Sequence, residues 1–166
     1  MSSMFKSRKL HPDNLPTSNL TKPGHSDTSS GFQNPYPNAG TFNRDFTFQA
    51  DPWQIVGIDG GALFYTLSAI HLTVSQNISP DNKTTSYVVL TWKPQATYFP
   101  SGPPEVTLAL LNSNGGTLQS LDLGRLPFSG CTDTNTQTLS ASFDNIYFNN
   151  VEFGLVAINE GYWKPC

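Results

Sequence analysis

Charge is what this sequence has least of. Only 13% of its 166 residues are Asp, Glu, Lys or Arg, against roughly 25% in an ordinary globular protein. Alanine is also scarce, and no long stretch has helical period. A helical protein of this size covers its surface with Lys and Glu, so the shortage argues against helix. Long apolar runs are missing too. Nothing approaches the roughly 18 apolar residues of a membrane span. Met1–Lys9 has some positive charge, but no apolar stretch follows it as in a secretory leader. The expectation is a soluble chain with no signal peptide or transmembrane segment, of cytoplasmic synthesis, free to end in a particle or an extracellular assembly.

Chemistry-bearing residues are few as well. There are three histidines and two cysteines. His11 and His25 stand apart near the N-terminus. His71 sits between Ile70 and Leu72 and reads as a solvent-facing strand residue. No Cys and His spacing fits zinc. No Gly-x-Ser-x-Gly elbow or Gly-rich phosphate loop occurs. The only glutamates are Glu105, Glu152 and Glu160. A pair of carboxylates about 5–10 Å apart could hydrolyse a glycoside, but scattered acids are far more often surface residues. Asp133 with Asn135, and Asp81 with Asn82, could approach calcium, yet Asx turns account for both. The expectation is therefore no catalytic residue, no cofactor and no metal. The sequons at Asn19, Asn77 and Asn82 matter only in a eukaryotic secretory route. Cys131 and Cys166 can form one disulfide that pins the tail, or remain two thiols.

What the sequence does hold is Ser, Thr and Asn, with 13 Gly and 13 Pro spread along it. Its charge is uneven. Residues 1–42 carry a net +2 and residues 43–166 a net −5. A weakly acidic body is a poor partner for nucleic acid, whose binding is dominated by phosphate neutralisation. Residues 1–41 have little apolar periodicity and many Pro and Asn, as in His11-Pro12-Asp13-Asn14-Leu15-Pro16. They read as an extended, low-complexity-like N-terminal arm that cannot offset its own ordering entropy.

Residues 42–166 read as a domain of alternating strands. Phe42, Phe46 and Phe48 alternate. Trp53–Ile58 is a short apolar run closed by Gly60-Gly61. Leu63–Val74 is the longest strand expected, and its apolar phase slips from odd to even positions near Ser68–Ala69, as at a β-bulge. Ser75–Thr84 reads as a polar loop, Tyr87–Trp92 as a central strand, and Lys93–Pro104, with four prolines, as a rigid loop. Val106, Leu108 and Leu110 alternate. The Asn112–Thr117 turn joins them to Leu118–Leu123. Phe128–Thr136 is a loop, Leu139–Phe143 and Val151–Ala157 are strands, and Gly161–Cys166 is a short tail. About eight strands with frequent turns predict an all-β, antiparallel β-sandwich, jelly-roll-like, behind the arm.

Aromatics are plentiful, and most fall on core positions. Tyr98, Phe99, Tyr162 and Trp163 fall in loop or tail segments. There they could cap the sandwich, anchor a subunit contact, or stack on a sugar. Two functions follow. One is a non-enzymatic structural subunit that self-assembles or docks on a larger particle through its arm and sheet edges. By architecture alone, the layout resembles coat, appendage and filament subunits. Its partner is then a homo-oligomer or larger assembly. The other is a carbohydrate-binding module that takes a glycan on the loop aromatics. A small hydrolase is a distant third.

Overall fold

The computed structural model describes residues 8–9, 40–48, 51–56, 62–81, 83–112, 114, 116–146, 151–158 and 162–166. The Gly60-Gly61 turn, Glu160, His11, His25, Asn19 and Asn82, and nearly all of the arm, lie outside these residues. Strands dominate, all their pairings are antiparallel, and no helix occurs among the described residues.

The largest sheet is built on two long strands, β4 (Leu63–Ile78) and β5 (Thr84–Ala96). They are joined by a short turn in which Ser79 N–H donates to the Lys83 carbonyl (2.9 Å). On the outer side of β4 run β2 (Gly40–Thr47) and β3 (Trp53–Val56), end to end. Beyond β5 lies β9 (Gln137–Asp144). A second sheet has β7 (Glu105–Leu111) in the middle, flanked by β10 (Glu152–Ile158) and β8 (Thr117–Arg125). A third sets β11 (Tyr162–Pro165) between β1 (Arg8–Lys9) and β6 (Tyr98–Pro100).

The phase slip in β4 is a bulge. The register with β5 shifts between Ser68 and His71, and Ala69 adopts φ of 50°. Two amide groups lose ladder partners there. The Asp51 carboxylate takes both, from Ala69 N–H (3.0 Å) and Ile70 N–H (2.8 Å). A residue just before β3 thus anchors the bend in its neighbour, which lets one strand send Tyr65 and Leu67, then Ile70, Leu72 and Val74, into the same core.

Two loop expectations are corrected. Ser75–Ile78 continue β4, because Gln76 has a buried polar partner set. Its Nε2 donates to Ser86 Oγ (3.1 Å) and to the Ile146 carbonyl (2.6 Å). Lys93–Ala96 continue β5 despite Pro94. The β5–β9 ladder ends at Trp92↔Gln137, so Pro94 lies where one side of the backbone needs no ladder bond. The Asn112 turn closes as the sequence suggests. Asn112 Oδ1 accepts from Asn114 N–H and Gly116 N–H, each at 2.9 Å.

One hydrophobic core joins the sheets. It takes Phe46 and Ile55 from β2 and β3, the β4 residues above, Val88, Leu90 and Trp92 from β5, Val106, Leu108 and Leu110 from β7, and Phe153, Leu155 and Ala157 from β10. Phe46 and Phe153 meet with ring centroids 4.8 Å apart, which brings β2 against β10.

Candidate functional site

The residues singled out in the sequence converge on one corner. Trp163 pairs with Pro100, Lys164 with Phe99 and Pro165 with Tyr98. The chain end is fixed twice more. Cys166 N–H donates to the Thr97 carbonyl (3.0 Å), and Cys166 is disulfide-bonded to Cys131. Thr97 in turn donates its N–H to the Phe64 carbonyl (3.0 Å). These segments are strands rather than loop and tail. Each is too short to show alternation, and each forms by pairing with a strand distant in sequence.

Their side chains part company. Trp163 is fully buried and stacked on Phe64, at 5.0 Å and 13° between planes. Tyr98 is half-buried, its ring 4.9 Å from Phe64. Phe99 is 40% exposed. For Tyr162 only the backbone is described. Trp163 is thus a core residue that no ligand can reach in this state, and Phe99 is the exposed aromatic of this corner. Sequence reasoning could not separate them, because the alternation that sorts faces needs more than three or four residues.

Beside this corner lies a shallow cleft. Tyr65, Phe128, Asp133 and Gln137 are among its walls, and its volume of about 10 Å³ holds at most one water. Asp133 accepts from Ser129 Oγ, Asn135 N–H (2.9 Å) and Gln137 Nε2 (3.1 Å). The Ser129 hydroxyl leads these bonds in holding its carboxyl below the usual carboxylate range. Asp133 is an ionised turn residue whose lone pairs are in use. Tyr65 accepts from Trp92 Nε1 (2.9 Å). Burial pushes its phenol up to about 12. The Trp92 hydrogen bond opposes this, and the nearby Asp133 charge adds to it.

That shift has a consequence for stability. The Tyr65 pKa is raised in the folded state, so its contribution is complete below pH 10 and declines as pH rises from about 10 towards 12. Urea unfolding at pH 9, 10 and 11 should show a fall of about 1 kcal/mol by pH 11. Tyr65→Phe should flatten the slope. An equal slope in Tyr65→Phe would assign the alkaline loss to other groups.

The remaining acids do not converge. Glu105 pairs with Ile158 and Glu152 with Leu111, at opposite ends of the β7–β10 ladder. Six strand steps put them about 20 Å apart, well beyond the spacing a glycosidase needs. Asp81 is engaged by the Ser79 hydroxyl, which lowers its pKa. No group of three His, Cys, Asp or Glu able to hold a metal occurs among the described residues. No helix among them is long and apolar enough to cross a membrane.

The two outward sheet faces differ, a contrast that local sequence does not display. Where β2, β4, β5 and β9 run side by side, the outward side chains form four ranks, and none of these is buried. One rank is Thr47, His71, Thr91 and Thr138. Another is Asn43, Ser75, Tyr87 and Ser142. Tyr87 stands 48% exposed in this hydroxyl- and amide-rich field. On the small sheet, Ala109 and Leu111 point away from the core, out of phase with Val106, Leu108 and Leu110. Yet they are only 5% and 4% exposed.

Comparison with known proteins finds no family model that matches the chain, and no curated protein or solved structure similar to it.

Proposed function

We propose that this chain is a non-catalytic structural subunit, a jelly-roll-like β-sandwich that joins copies of itself or a larger particle through its N-terminal arm and its sheet edges. One observation carries the reading. Arg8 and Lys9 add a strand to the edge of β11, opposite Trp163 and Tyr162. This is strand addition by an arm, the mode in which an extended segment satisfies an exposed sheet edge. The same two residues from a neighbouring copy make identical bonds, which is how exchanged elements build oligomers without new contacts. The edges of β8 and β9 support it further. Among the described residues, β8 pairs only with β7, and β9 only with β5.

Light scattering coupled to size exclusion tests this. The full chain is expected at a multiple of 18.2 kDa, with residues 40–166 alone running as a monomer. A monomer in both samples at micromolar concentration overturns it.

Tyr87 favours a second reading, glycan binding. A phenol ring flanked by Ser75 and Ser142, with Asn43 one strand beyond Ser75, combines an apolar face with hydroxyl and amide partners, the chemistry a pyranose ring uses. Here the ligand sits on the open face of the large sheet, with Phe99 at a separate corner and Trp163 uninvolved. A glycan array should then show a neutral polysaccharide bound by the full chain, and Tyr87→Ala should weaken it about tenfold, worth about 1.4 kcal/mol. Silence across the array sinks this reading.

A further inference from the structure

One flank of the molecule is formed by the edges of β9 and β8. Among the described residues each of these strands has a partner on one side only, and Gly124 of β8 lies beside the Leu139 side chain of β9. The inward side chains of β9 show how open this flank is. Leu139, Ala141 and Phe143 pack against the core yet stay half-buried, whereas Val88, Leu90 and Trp92 on β5 are fully buried. A free sheet edge is a template for another strand, and folded proteins blunt it with charge, proline, bulges or shortness. The other margins are blunted in these ways or covered. β8 shifts register twice against β7 and carries Asp122 and Arg125. β2 carries Arg44 and Asp45 in mid-strand. β1, β3 and β6 are two to four residues long. β10 has no exposed side chain from Glu152 to Ala157. β9 has none of these devices. Its eight residues pair with β5 in unbroken register, and no charge, proline or glycine occurs from Gln137 to Phe143.

We propose that β9 pairs antiparallel with β9 of a second copy, about a two-fold axis at Ala141, so that one sheet runs through both molecules. The inference rests on the assembly reading and names the edge it uses. The sequence of β9 is self-complementary in that register. Leu139 stands opposite the partner's Phe143, Ala141 opposite the partner's Ala141, and Ser140 opposite the partner's Ser142. The half-buried apolar row of each copy is thereby covered by the same row of the other, and hydroxyls meet hydroxyls on the outward face. Asp144 stands opposite the partner's Thr138, so like charges do not face each other. Neighbouring axes match less well. With Ser140 on the axis, Phe143 faces the partner's Gln137. With Ser142 on it, Leu139 faces the partner's Asn145. An axis between two residues sets apolar positions against hydroxyls, because strand faces alternate. Pairing of identical edges is isologous and closes at two copies.

Size sets the strength of this contact. Eight residues a side fall short of the roughly 20–30 in a stable interface. The pair is therefore weak alone and forms between copies that their arms already hold close, where the effective concentration is high. A chain without its arm is then still a monomer at micromolar concentration. Where the pair forms, the hydroxyl-rich face of the large sheet continues across the axis.

Thiol cross-linking tests the pairing in the full chain, whose two native cysteines are already joined to each other. Opposite residues of an antiparallel pair lie about 4.5–5.5 Å apart at Cα, within disulfide reach. Diagonal ones lie about 7–8 Å apart, beyond it. Under mild oxidation at millimolar protein, Ala141→Cys should form a covalent dimer at least tenfold faster than Ser140→Cys or Ser142→Cys. Equal rates at the three positions, or a faster rate at Ser140 or Ser142, overturn the proposal. Charge at the two exposed serines gives a second measurement that leaves the core untouched. Ser140→Lys with Ser142→Lys sets like charges opposite each other across the axis and should weaken self-association in sedimentation at least tenfold. Ser140→Lys with Ser142→Glu sets opposite charges there and should restore it. The same result from both pairs also overturns the proposal. The two readings fail separately. A full chain that is monomeric at micromolar concentration defeats the arm, and the Ala141 preference at millimolar concentration still decides the β9 edge. An arm-dependent oligomer without that preference overturns the β9 pairing alone.

Discussion

Trp163→Ala is expected to cost about 3–5 kcal/mol in urea unfolding, as large aromatic truncations in a packed core do. Total stability for a domain of this size is about 5–15 kcal/mol, so the variant sits near the edge of folding. The size of the effect follows from placement. The indole is fully buried, stacked on Phe64, and held on a strand with β6 on one side and β1 on the other. Removing it empties space under three short strands that have little else beneath them. Trp163→Phe separates packing from polarity. It keeps most of the ring and deletes an indole N–H that is buried with no partner among the described residues. Its cost should stay under about 2 kcal/mol, because relieving a buried unpaired donor offsets part of the lost contact. A loss below 1 kcal/mol for Trp163→Ala would mean that this corner is not part of the cooperative core.

Breaking the Cys131–Cys166 bond is the second large effect. The cysteines are 35 residues apart in sequence, and the chain-entropy estimate for a loop of that size is about 3–4 kcal/mol. Cys131→Ser with Cys166→Ser should lower the urea midpoint accordingly at an unchanged slope. Incubation with dithiothreitol should move wild type to the same place and leave the double variant where it is. The bond acts on the strand that carries Trp163. The two losses should therefore fall short of additivity, since a tail already released has less packing to lose. Full additivity would show that the disulfide and the indole stabilise the fold independently. The same double variant bears on assembly. If β11 receives the arm strand, loosening it should weaken any oligomer of the full chain.

Much of the architecture was legible because strand periodicity is local. Val106, Leu108 and Leu110 alternate in the sequence and face the core in the structure. The slip at Ser68–Ala69 could be located because a bulge reverses which parity is apolar, and parity needs no partner to be read. Segments failed where strand formation depends on a distant partner. Tyr98–Pro100 and Tyr162–Pro165 are three and four residues long, so neither could show alternation. Gln76 looked like the start of a polar loop because its partners, Ser86 and the Ile146 carbonyl, are 10 and 70 residues away.

The candidate site divides in the same way. Composition alone determined that this is a β-protein with a neutral polar surface, since the residues that build helices and charged surfaces are scarce. It also brought Tyr98, Phe99, Tyr162 and Trp163 forward as a set, because all four stand outside the alternating runs. Which of them meets solvent was decided only by tertiary pairing. β6 and β11 bury Trp163, half-bury Tyr98 and turn Phe99 outward, and exposure is a property of what packs opposite a residue. Tyr87 shows the converse. In sequence it belongs to an unbroken run of β-formers and looks like core, whereas in the fold it lies on the open face between Ser75 and Ser142. The buried outer face of β7 and β10 was invisible for the same reason. Ala109 and Leu111 read as ordinary members of an apolar strand, and only the second layer of packing distinguishes the face that meets the core from the face that meets something else.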